Sequence, residues 1–491
     1  MMSARKTPGR AATWGLLAAV VWAGGCAVGP KYVRPAVTPP PAYKEAPPAE
    51  AGKDWTTANP ADATPRGAWW QVFHDQTLDQ LEGQIDGANQ DLKAAQARFL
   101  QARALVRSAR AAYFPQVGAG AAVTPGAQSG NKPLRSPLAP RTYTDYLVSG
   151  DVAYEPDLWQ RIGRSVEASR ADAQASAADT ESVRLALHAE CAVDYFVLRG
   201  LDAQKQLLDD SVAAYAKALQ LTQSRHAGGL ASGADVAQAE TQLETTRAQD
   251  IDVDVQRAQI EHAIAVLVGR AASAFSLPRQ PLTAPPPAIP PGMPSQLLER
   301  RPDIAAAERR IVAANARVGV AAAAYYPLVL LTGASGFEGG SIGDWFRGLS
   351  AFWSIGPAAA LTVFDGGRRR AVSEQARAAY DQAVAGYRET VLEAFEEVED
   401  SLVALRVLGN EADTTAAAVA AARRSLTLAT NRYRGGVATY LEVTAAQTAA
   451  LSDERTAVGI LTRRMTASVL LIKALGGGWN AATLPSGNPG P

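Results

Sequence analysis

The sequence YDQAVAGYRETVLEAFEEVEDSLVAL, residues 380–405, indicates the fold more directly than any other stretch of the chain. Its large apolar residues recur at every third or fourth position, the spacing that aligns side chains along one face of an α-helix. They are Tyr380, Val384, Tyr387, Val391, Phe395, Val398, Leu402 and Leu405. No proline occurs from residue 368 to residue 433, so the pattern predicts one helix, roughly 100 Å long at 1.5 Å per residue. Such a helix is too long to fold inside a compact domain, and it must pack lengthwise against partners.

A pair of glycines, Gly435 and Gly436, follows this segment. Glycine readily adopts the left-handed conformation that ends a helix. We therefore expect a turn here and a second helix that returns over about residues 437–475. Together the two segments predict a helical hairpin.

The hairpin occurs twice, because an internal duplication runs through the chain at a constant offset of 207 residues. The recurring residues are Glu167, Arg170 and Ala171 (as Glu374, Arg377 and Ala378), Arg225, Gly228, Gly229, Asp235 and Val236 (as Arg432, Gly435, Gly436, Glu442 and Val443), and Gly269 (as Gly476). Upstream, residues 112–115, AYFP, recur as residues 324–327, AYYP, at an offset of 212. The proline-rich residues 278–296 favour an extended connector between the copies. We therefore expect two structural repeats, residues 71–277 and 297–476, followed by a short tail over 477–491.

In the first copy the same elements are predicted from a weaker pattern. Its apolar positions are Leu185, His188, Cys191, Tyr195, Leu198 and Leu201. The turn falls at Gly228 and Gly229, and the returning helix covers about residues 232–268. His188 and Cys191 correspond to Phe395 and Val398 of the second copy, so we interpret both as packing residues rather than as metal ligands or nucleophiles.

Alternating apolar and polar residues predict two strands in each copy, at about residues 116–124, 143–158, 328–337 and 352–364. Strands of about ten residues can cross a bilayer when tilted. Unpaired strand edges are costly in lipid, so a membrane sheet must close into a barrel. Four strands cannot close one, but three copies of the chain supply twelve. Soluble hairpins are the alternative, and Pro357 weakens the fourth strand because it lacks an N–H donor.

Composition argues against several classes of protein. Lys and Arg together number 48, as do Asp and Glu, so the basic excess that attracts nucleic acid is missing. The two cysteines and four scattered histidines form no metal-binding pattern. Residues 339–343, GGSIG, match the G-x-S-x-G motif of hydrolases, which also requires a later histidine. No histidine follows His262, so we interpret this match as a glycine-rich loop and predict no enzyme activity, metal or cofactor.

The N-terminus resembles a bacterial export signal that ends in a lipidation site. Residues 1–25 contain three basic residues, an uncharged apolar stretch and a pair of small residues before Cys26. A transmembrane anchor is the alternative, but about 13 strongly apolar residues are too few for a helix that spans a bilayer. The pattern predicts acylation of Cys26, and the extended residues 26–70 then form a lipid-anchored leader. Ala27 follows the cysteine, which by the usual sorting pattern implies the outer membrane.

Two carboxylates, Asp235 and Glu442, occupy equivalent places just after the two helix turns. If subunits surround an axis, these carboxylates could line the mouth of a channel and favour cations. Alternatively, each complements the positive end of its own helix dipole. Position alone leaves both interpretations open.

Several motifs resemble the outer membrane factor family, the TolC-like channels, and in particular its lipoprotein branch in tripartite efflux systems of the resistance-nodulation-division type. The matching stretches cover almost the whole mature chain. They are Cys26-Ala27-Val28-Gly29-Pro30 with Tyr32 and Pro35; Trp69-Trp70 with Phe73, Asp75 and Leu78; Asn89 with Asp91-Leu92; residues 297–304, LLERRPDI; residues 324–327; and Phe364-Asp365-Gly366-Gly367-Arg368.

The resemblance implies a mainly α fold with a membrane β part. Three identical chains would form a twelve-stranded β-barrel in the outer membrane of a Gram-negative bacterium, continued by a TolC-like α-helical tunnel across the periplasm. The implied partners are a periplasmic adaptor protein and an inner-membrane pump of the resistance-nodulation-division type, together with outer-membrane lipid through Cys26. No cofactor besides this covalent lipid is implied.

The resemblance also assigns site residues. In the family the helix-turn tips meet the adaptor, which carries over to Gly228, Gly229, Ser232, Gly435, Gly436 and Thr439. Aspartates after the second turn close the periplasmic aperture of the family. Glu442 fills one such place, whereas Ala445 stands where another Asp is common.

From the residues and the resemblance together we expect an exit duct that passively conducts drugs or other small molecules through a periplasmic helical gate. An exit duct for type I protein secretion is one alternative. A periplasmic adaptor lipoprotein is another, but an adaptor would contain a lipoyl-like β domain in place of the duplicated strand pairs.

Overall fold

The computed structural model describes residues 28–36, 40, 42–45, 68–134, 136, 140–289, 300–345 and 347–477. The predicted signal segment, Cys26, most of the leader, residues 290–296 of the connector, the first three residues of the second repeat (297–299) and nearly all of the C-terminal tail lie outside the described residues. What the sequence predicts for those segments stays a prediction.

The described chain contains seven α-helices and four strands. In chain order they are α1 (Gln76–Ala88), α2 (Gln90–Ala111), β1 (Gln116–Ala127), β2 (Thr142–Tyr154), α3 (Arg161–Ala227), α4 (Gly233–Leu267), α5 (Pro302–Ala323), β3 (Leu328–Gly339), β4 (Ala351–Ala360), α6 (Arg368–Arg434) and α7 (Tyr440–Ala474). Short 3-10 segments precede or join them, of which Trp69–Phe73 is the longest. No helix within the described ranges combines the length and the apolar character needed to cross a membrane.

The duplication predicted from the sequence is visible in the lengths of the elements. The long helices α3 and α6 each contain 67 residues, which corresponds to about 100 Å. The returning helices α4 and α7 each contain 35 residues. Each long helix packs against its own returning helix, and α3 also packs against α7 of the other copy, so the two hairpins form one bundle.

The four strands form a single antiparallel sheet in the order β1-β2-β3-β4. Each observed strand begins within one residue of its predicted start, but all four ends differ from the predicted ones. The first and third strands end at Ala127 and Gly339 rather than near residues 124 and 337. The second ends at Tyr154 rather than near residue 158, because Pro156 cannot donate to a ladder. The fourth ends at Ala360 rather than 364. Pro357 lies inside it, opposite Leu331 of β3, and β4 is an edge strand of the sheet within one chain.

The largest core of the described residues lies between residues 69–92, which come before the first long helix, and the helices α3, α4 and α7. The adjacent side chains Trp69 and Trp70 are buried there among residues of α1, α3, α4 and α7. The side chain of Asp75 caps α1 by accepting hydrogen bonds from the backbone N–H groups of Thr77 and Leu78. This core therefore fixes the chain that precedes the first long helix against the middle of the bundle.

His188 and Cys191 are buried in this region, in agreement with their interpretation as packing residues. His188 nevertheless has a polar partner that the sequence did not indicate. Its Nδ1 atom lies 2.6 Å from Oε2 of Glu82, and its ring stacks on Trp70 with 4.6 Å between centroids. The described residues contain no group of three or more His, Cys, Asp or Glu side chains that could hold a metal ion.

Candidate functional site at the two helix turns

The two turns that end α3 and α6 have the same backbone geometry. At the first turn the N–H of Leu230 donates to the carbonyl of Arg225 at 2.7 Å, and the N–H of Gly229 donates to the carbonyl of His226 at 2.9 Å. This pair of bonds is a Schellman motif, which requires a left-handed residue at its centre. Gly229 supplies that residue with φ +73°.

At the second turn the same bonds recur 207 residues later. The N–H of Val437 donates to the carbonyl of Arg432 at 3.0 Å, and the N–H of Gly436 donates to the carbonyl of Tyr433 at 3.0 Å. Gly436 has φ +77°. The two glycine pairs predicted as turns therefore have a defined local reason to end the long helices.

The starts of the returning helices differ between the copies. Ser232 and Asp235 form a capping box, in which each side chain accepts a hydrogen bond from the backbone N–H of the other residue. This arrangement satisfies two of the N–H groups that a helix leaves free at its start. Thr439, the counterpart of Ser232, forms no side-chain cap. Glu442 lies 3.4 Å from the guanidinium of Arg432 instead.

One arginine connects the two turns. Arg225, in the last turn of α3, donates from Nη1 to the carbonyl of Arg434 at 3.0 Å. Its guanidinium also lies 4.8 Å from the ring centroid of Tyr433, close enough for a cation–π interaction. The hydroxyl of Tyr433 points back to Thr222 of α3, at 3.4 Å. The ends of the two hairpins are therefore held together within one chain.

A small aromatic core lies beneath this connection. Tyr433 and Tyr440 are 5% and 2% exposed, and their rings meet edge to face with 5.2 Å between centroids. Ala239 and Val443 complete the cluster. Burial raises the pKa of the Tyr440 hydroxyl to about 12, because removal from water disfavours the charged phenolate.

The residues assigned to the site from the sequence all lie at this end of the bundle. Those assigned to adaptor contact are exposed; they are Gly228, Gly229, Ser232, Gly435, Gly436 and Thr439. Of the two assigned to the aperture, Glu442 is exposed, whereas Asp235 is half-buried and held in the capping box. The two carboxylates are thus equivalent in sequence but not in their contacts.

Sequence reasoning missed four residues that shape this end. Arg225 and Tyr433 hold the turns together, and their partners are more than 200 residues away in sequence. Leu230 and Val437 present large apolar side chains at the turns, 72% and 70% exposed. The offset of 207 residues relates Leu230 to Val437, so comparing the two copies position by position could have found this pair.

Comparison with known proteins assigns the family. The sequence model for outer membrane efflux proteins matches residues 83–270 and 293–477, which correspond to the two repeats. The chain is 33% identical over 460 residues to outer membrane protein OprJ of Pseudomonas aeruginosa, covering 93% of this chain and 94% of OprJ. It is 32% identical over 464 residues to the toluene efflux pump outer membrane protein TtgF of Pseudomonas putida, covering 93% and 95%.

A solved structure leads to the same family. The outer-membrane channel OprN superposes on this chain with a TM-score of 0.83 at 31% identity, covering 92% of this chain and 100% of the OprN chain. The long helices, the four strands and the two repeats are thus those of TolC-like outer membrane channels. By sequence and by structure, this chain belongs to the outer membrane efflux protein family.

Proposed function

We propose that three copies of this chain form the outer-membrane exit duct of a tripartite efflux pump, which conducts small molecules outward from a periplasmic adaptor and an inner-membrane pump. The observation that carries this proposal is the sheet, which has two open edges, β1 and β4. Open edges are costly in lipid because the bilayer core offers no hydrogen-bonding partner. Joining β4 of one chain to β1 of the next removes every edge when three copies close a twelve-stranded barrel.

The two faces of the sheet support a position in the membrane. Directly paired residues share a face, and one such row consists of Val117, Val152, Gly333 and Ile355. Trp353 lies on the same face and is 77% exposed.

The opposite face is polar. Asp151 is paired with Ala334, which in turn faces Ser354, and Glu338 lies on the same side. Membrane barrels alternate apolar residues toward lipid with polar residues toward the lumen. We therefore assign the face of Val117 to lipid and the face of Asp151 to the lumen.

The end of the bundle with the two turns is where we propose that the adaptor docks. Leu230 and Val437 are the apolar contacts there, and the exposed glycine turns leave them accessible. The buried core of a protein interface is more apolar than the rest of the surface. For the periplasmic aperture we propose Glu442, because Asp235 already serves as a helix cap.

We also propose that the mature chain begins at an acylated Cys26, which lies outside the described residues. The chain after it supports an attached leader, because the phenolic hydroxyl of Tyr32 donates to Glu308 of α5 at 3.2 Å. The backbone N–H groups of Lys44 and Glu45 donate to Glu399 of α6 at 2.8 and 2.9 Å. The described leader residues Tyr32, Lys44 and Glu45 thus contact helices of the second repeat.

Single-channel conductance in planar bilayers, with the native mass measured on the same sample, tests this function. We expect a trimer with small, cation-selective openings. Glu442→Gln should reduce the cation selectivity, whereas Asp413→Asn, which removes an exposed carboxylate farther along α6, should leave it nearly unchanged. A monomer that never inserts would contradict the proposal, and unchanged selectivity of the Glu442 variant would contradict the aperture assignment alone.

A further inference from the structure

The charged residues of the sheet all lie on one of its faces. The four described strands contain three charged residues, Asp145, Asp151 and Glu338, and all three are acidic. Asp145 and Asp151 are an even number of positions apart on β2, so they share a face. Glu338 lies on the same face because it pairs with Leu147, which alternates in step with them. This is the face assigned above to the lumen, so the strands give the lumen negative charge and no positive charge.

Two apolar side chains lie beside two of these carboxylates. Leu147 is directly paired with Glu338, and the Cβ atoms of directly paired residues lie about 5 Å apart. Phe352 of β4 is paired with Gly336, two positions before Glu338 on β3, so Phe352 and Glu338 are diagonal neighbours about 7 Å apart. Asp145 is two positions from Leu147 on β2. We call these four residues the lumen patch: Asp145, Leu147, Glu338 and Phe352.

Apolar side chains are unusual on such a face, because the interior of a membrane barrel is typically polar. Leu147 and Phe352 are nevertheless both partly exposed there. Gly336 has no side chain to cover the ring of Phe352 from β3, and a side chain at this position would collide with a backbone carbonyl of β2. Along β2 the nearest basic residue is Arg141, about 13 Å from Asp145. The lumen patch therefore offers apolar contact and negative charge side by side.

We propose that the lumen patch binds organic cations with an apolar body as they pass through the barrel. The carboxylates of Asp145 and Glu338 attract the charge, and Leu147 and Phe352 contact the apolar part. The face of a phenyl ring also attracts cations directly. A hydrated metal ion has no apolar part for these side chains to contact, and an anion would be repelled by the carboxylates. This inference rests on the duct proposed above and names the class of molecule that its lumen retains.

Cysteine labelling in lipid vesicles first checks which face of the sheet lies in the lumen. Ala122 is paired with Leu147 and lies on the face of the lumen patch, whereas the preceding Ala121 is paired with Val148 on the opposite face. An uncharged, water-soluble maleimide should therefore label Ala122→Cys and leave Ala121→Cys unmodified. Cys191 is buried and its thiol pKa is raised by burial, so it should not react.

Protection from labelling then tests binding. Tetraphenylphosphonium, an aromatic organic cation, should slow the labelling of Ala122→Cys, whereas tetraphenylborate, an anion of nearly the same shape, should not. In the Ala122→Cys protein, Glu338→Gln and Phe352→Ala should each raise the half-protecting concentration about threefold. The control Asp151→Asn removes a carboxylate about 13 Å along β2 from Leu147. It should leave the half-protecting concentration nearly unchanged at about 0.15 M salt, which screens charges over about 8 Å.

Each contrary result has its own meaning. Labelling of Ala122→Cys that tetraphenylphosphonium does not slow, or that both ions slow equally, would overturn the lumen patch and leave the proposed duct intact. Protection that is unchanged in both the Glu338 and the Phe352 variants would also overturn the patch. Labelling of Ala121→Cys without labelling of Ala122→Cys would contradict the lumen assignment itself, and with it the barrel of the proposed duct.

Discussion

Stability around α1 should depend on pH through one buried carboxyl group. Glu82 is fully buried, and burial raises the pKa of its carboxyl from 4.5 to about 7, although the hydrogen bond to His188 opposes the rise. A group whose pKa is raised by folding stabilises the fold below its unfolded pKa, and this contribution is lost as the pH rises through the folded value. At about 1.4 kcal/mol for each pH unit between the two values, the loss is about 3 kcal/mol.

The substitution Glu82→Gln keeps the shape of the side chain and removes its titration. Hydrogen exchange of residues 76–88, corrected for the intrinsic pH dependence of exchange, reports the free energy of local opening. In the wild-type protein we expect this free energy to fall by about 3 kcal/mol between pH 4.5 and pH 8. In the variant it should be much less dependent on pH.

A second carboxyl group titrates in the same range and must be separated from Glu82. Burial, with a smaller contribution from Glu190, raises the pKa of Asp194 to about 6. Both proteins contain Asp194, so the difference between them isolates Glu82. Asp91→Asn, which removes an exposed carboxylate from α2, is a matched control and should behave like the wild type. An opening free energy that rises with pH in the wild type, or that falls equally in the Glu82 variant, would refute the reasoning.

Three further predictions concern the turns and the buried charges. Gly436→Ala should destabilise the second turn by about 1 kcal/mol, because Gly436 has the left-handed φ of +77° that alanine adopts only with strain. Gly435→Ala should not destabilise it, because Gly435 has an ordinary φ of −72°. Hydrogen exchange at the turn measures both effects. Ser232→Ala should lower the stability of the start of α4 by about 1 kcal/mol, because the helix loses its cap. Thr439→Ala should lower the stability of the start of α7 much less, because Thr439 forms no side-chain cap. Hydrogen exchange in the first turn of each helix measures both effects. Asp202→Asn should lower the unfolding free energy by about 3 kcal/mol. The substitution removes the carboxylate that pairs with buried Arg199, and it leaves buried Arg257 with Glu261 as its remaining carboxylate partner. Denaturant titration in detergent measures this loss.

The sequence predicted the helices well because their signals are local. The segment predicted from residue 368 to 433 is observed as Arg368–Arg434, since apolar spacing, absence of proline and a terminal glycine pair all act within one helix. The strands were predicted in number and approximate place. Their ends were less certain because a strand ends where its neighbour stops pairing, and that neighbour is distant in sequence.

Contacts between distant residues could not be predicted in the same way. His188 was correctly placed in the core, but its partner Glu82 lies 106 residues away in sequence, and no periodicity relates the two. Likewise, Arg225 was identified only as a repeated residue, whereas its role depends on Tyr433 and the carbonyl of Arg434. Both cases require knowledge of which helices are neighbours.

The two repeats show which features of a duplicated chain can diverge. The Schellman turns at Gly229 and Gly436 are retained because each depends only on the backbone of its own hairpin. The side chains around them differ: Arg225 bonds to the other hairpin of its own chain, whereas its counterpart Arg432 is exposed and pairs with Glu442. In a closed ring each hairpin has one neighbour from its own chain and one from the next. Equivalent positions therefore have different surroundings even though their backbone geometry is the same.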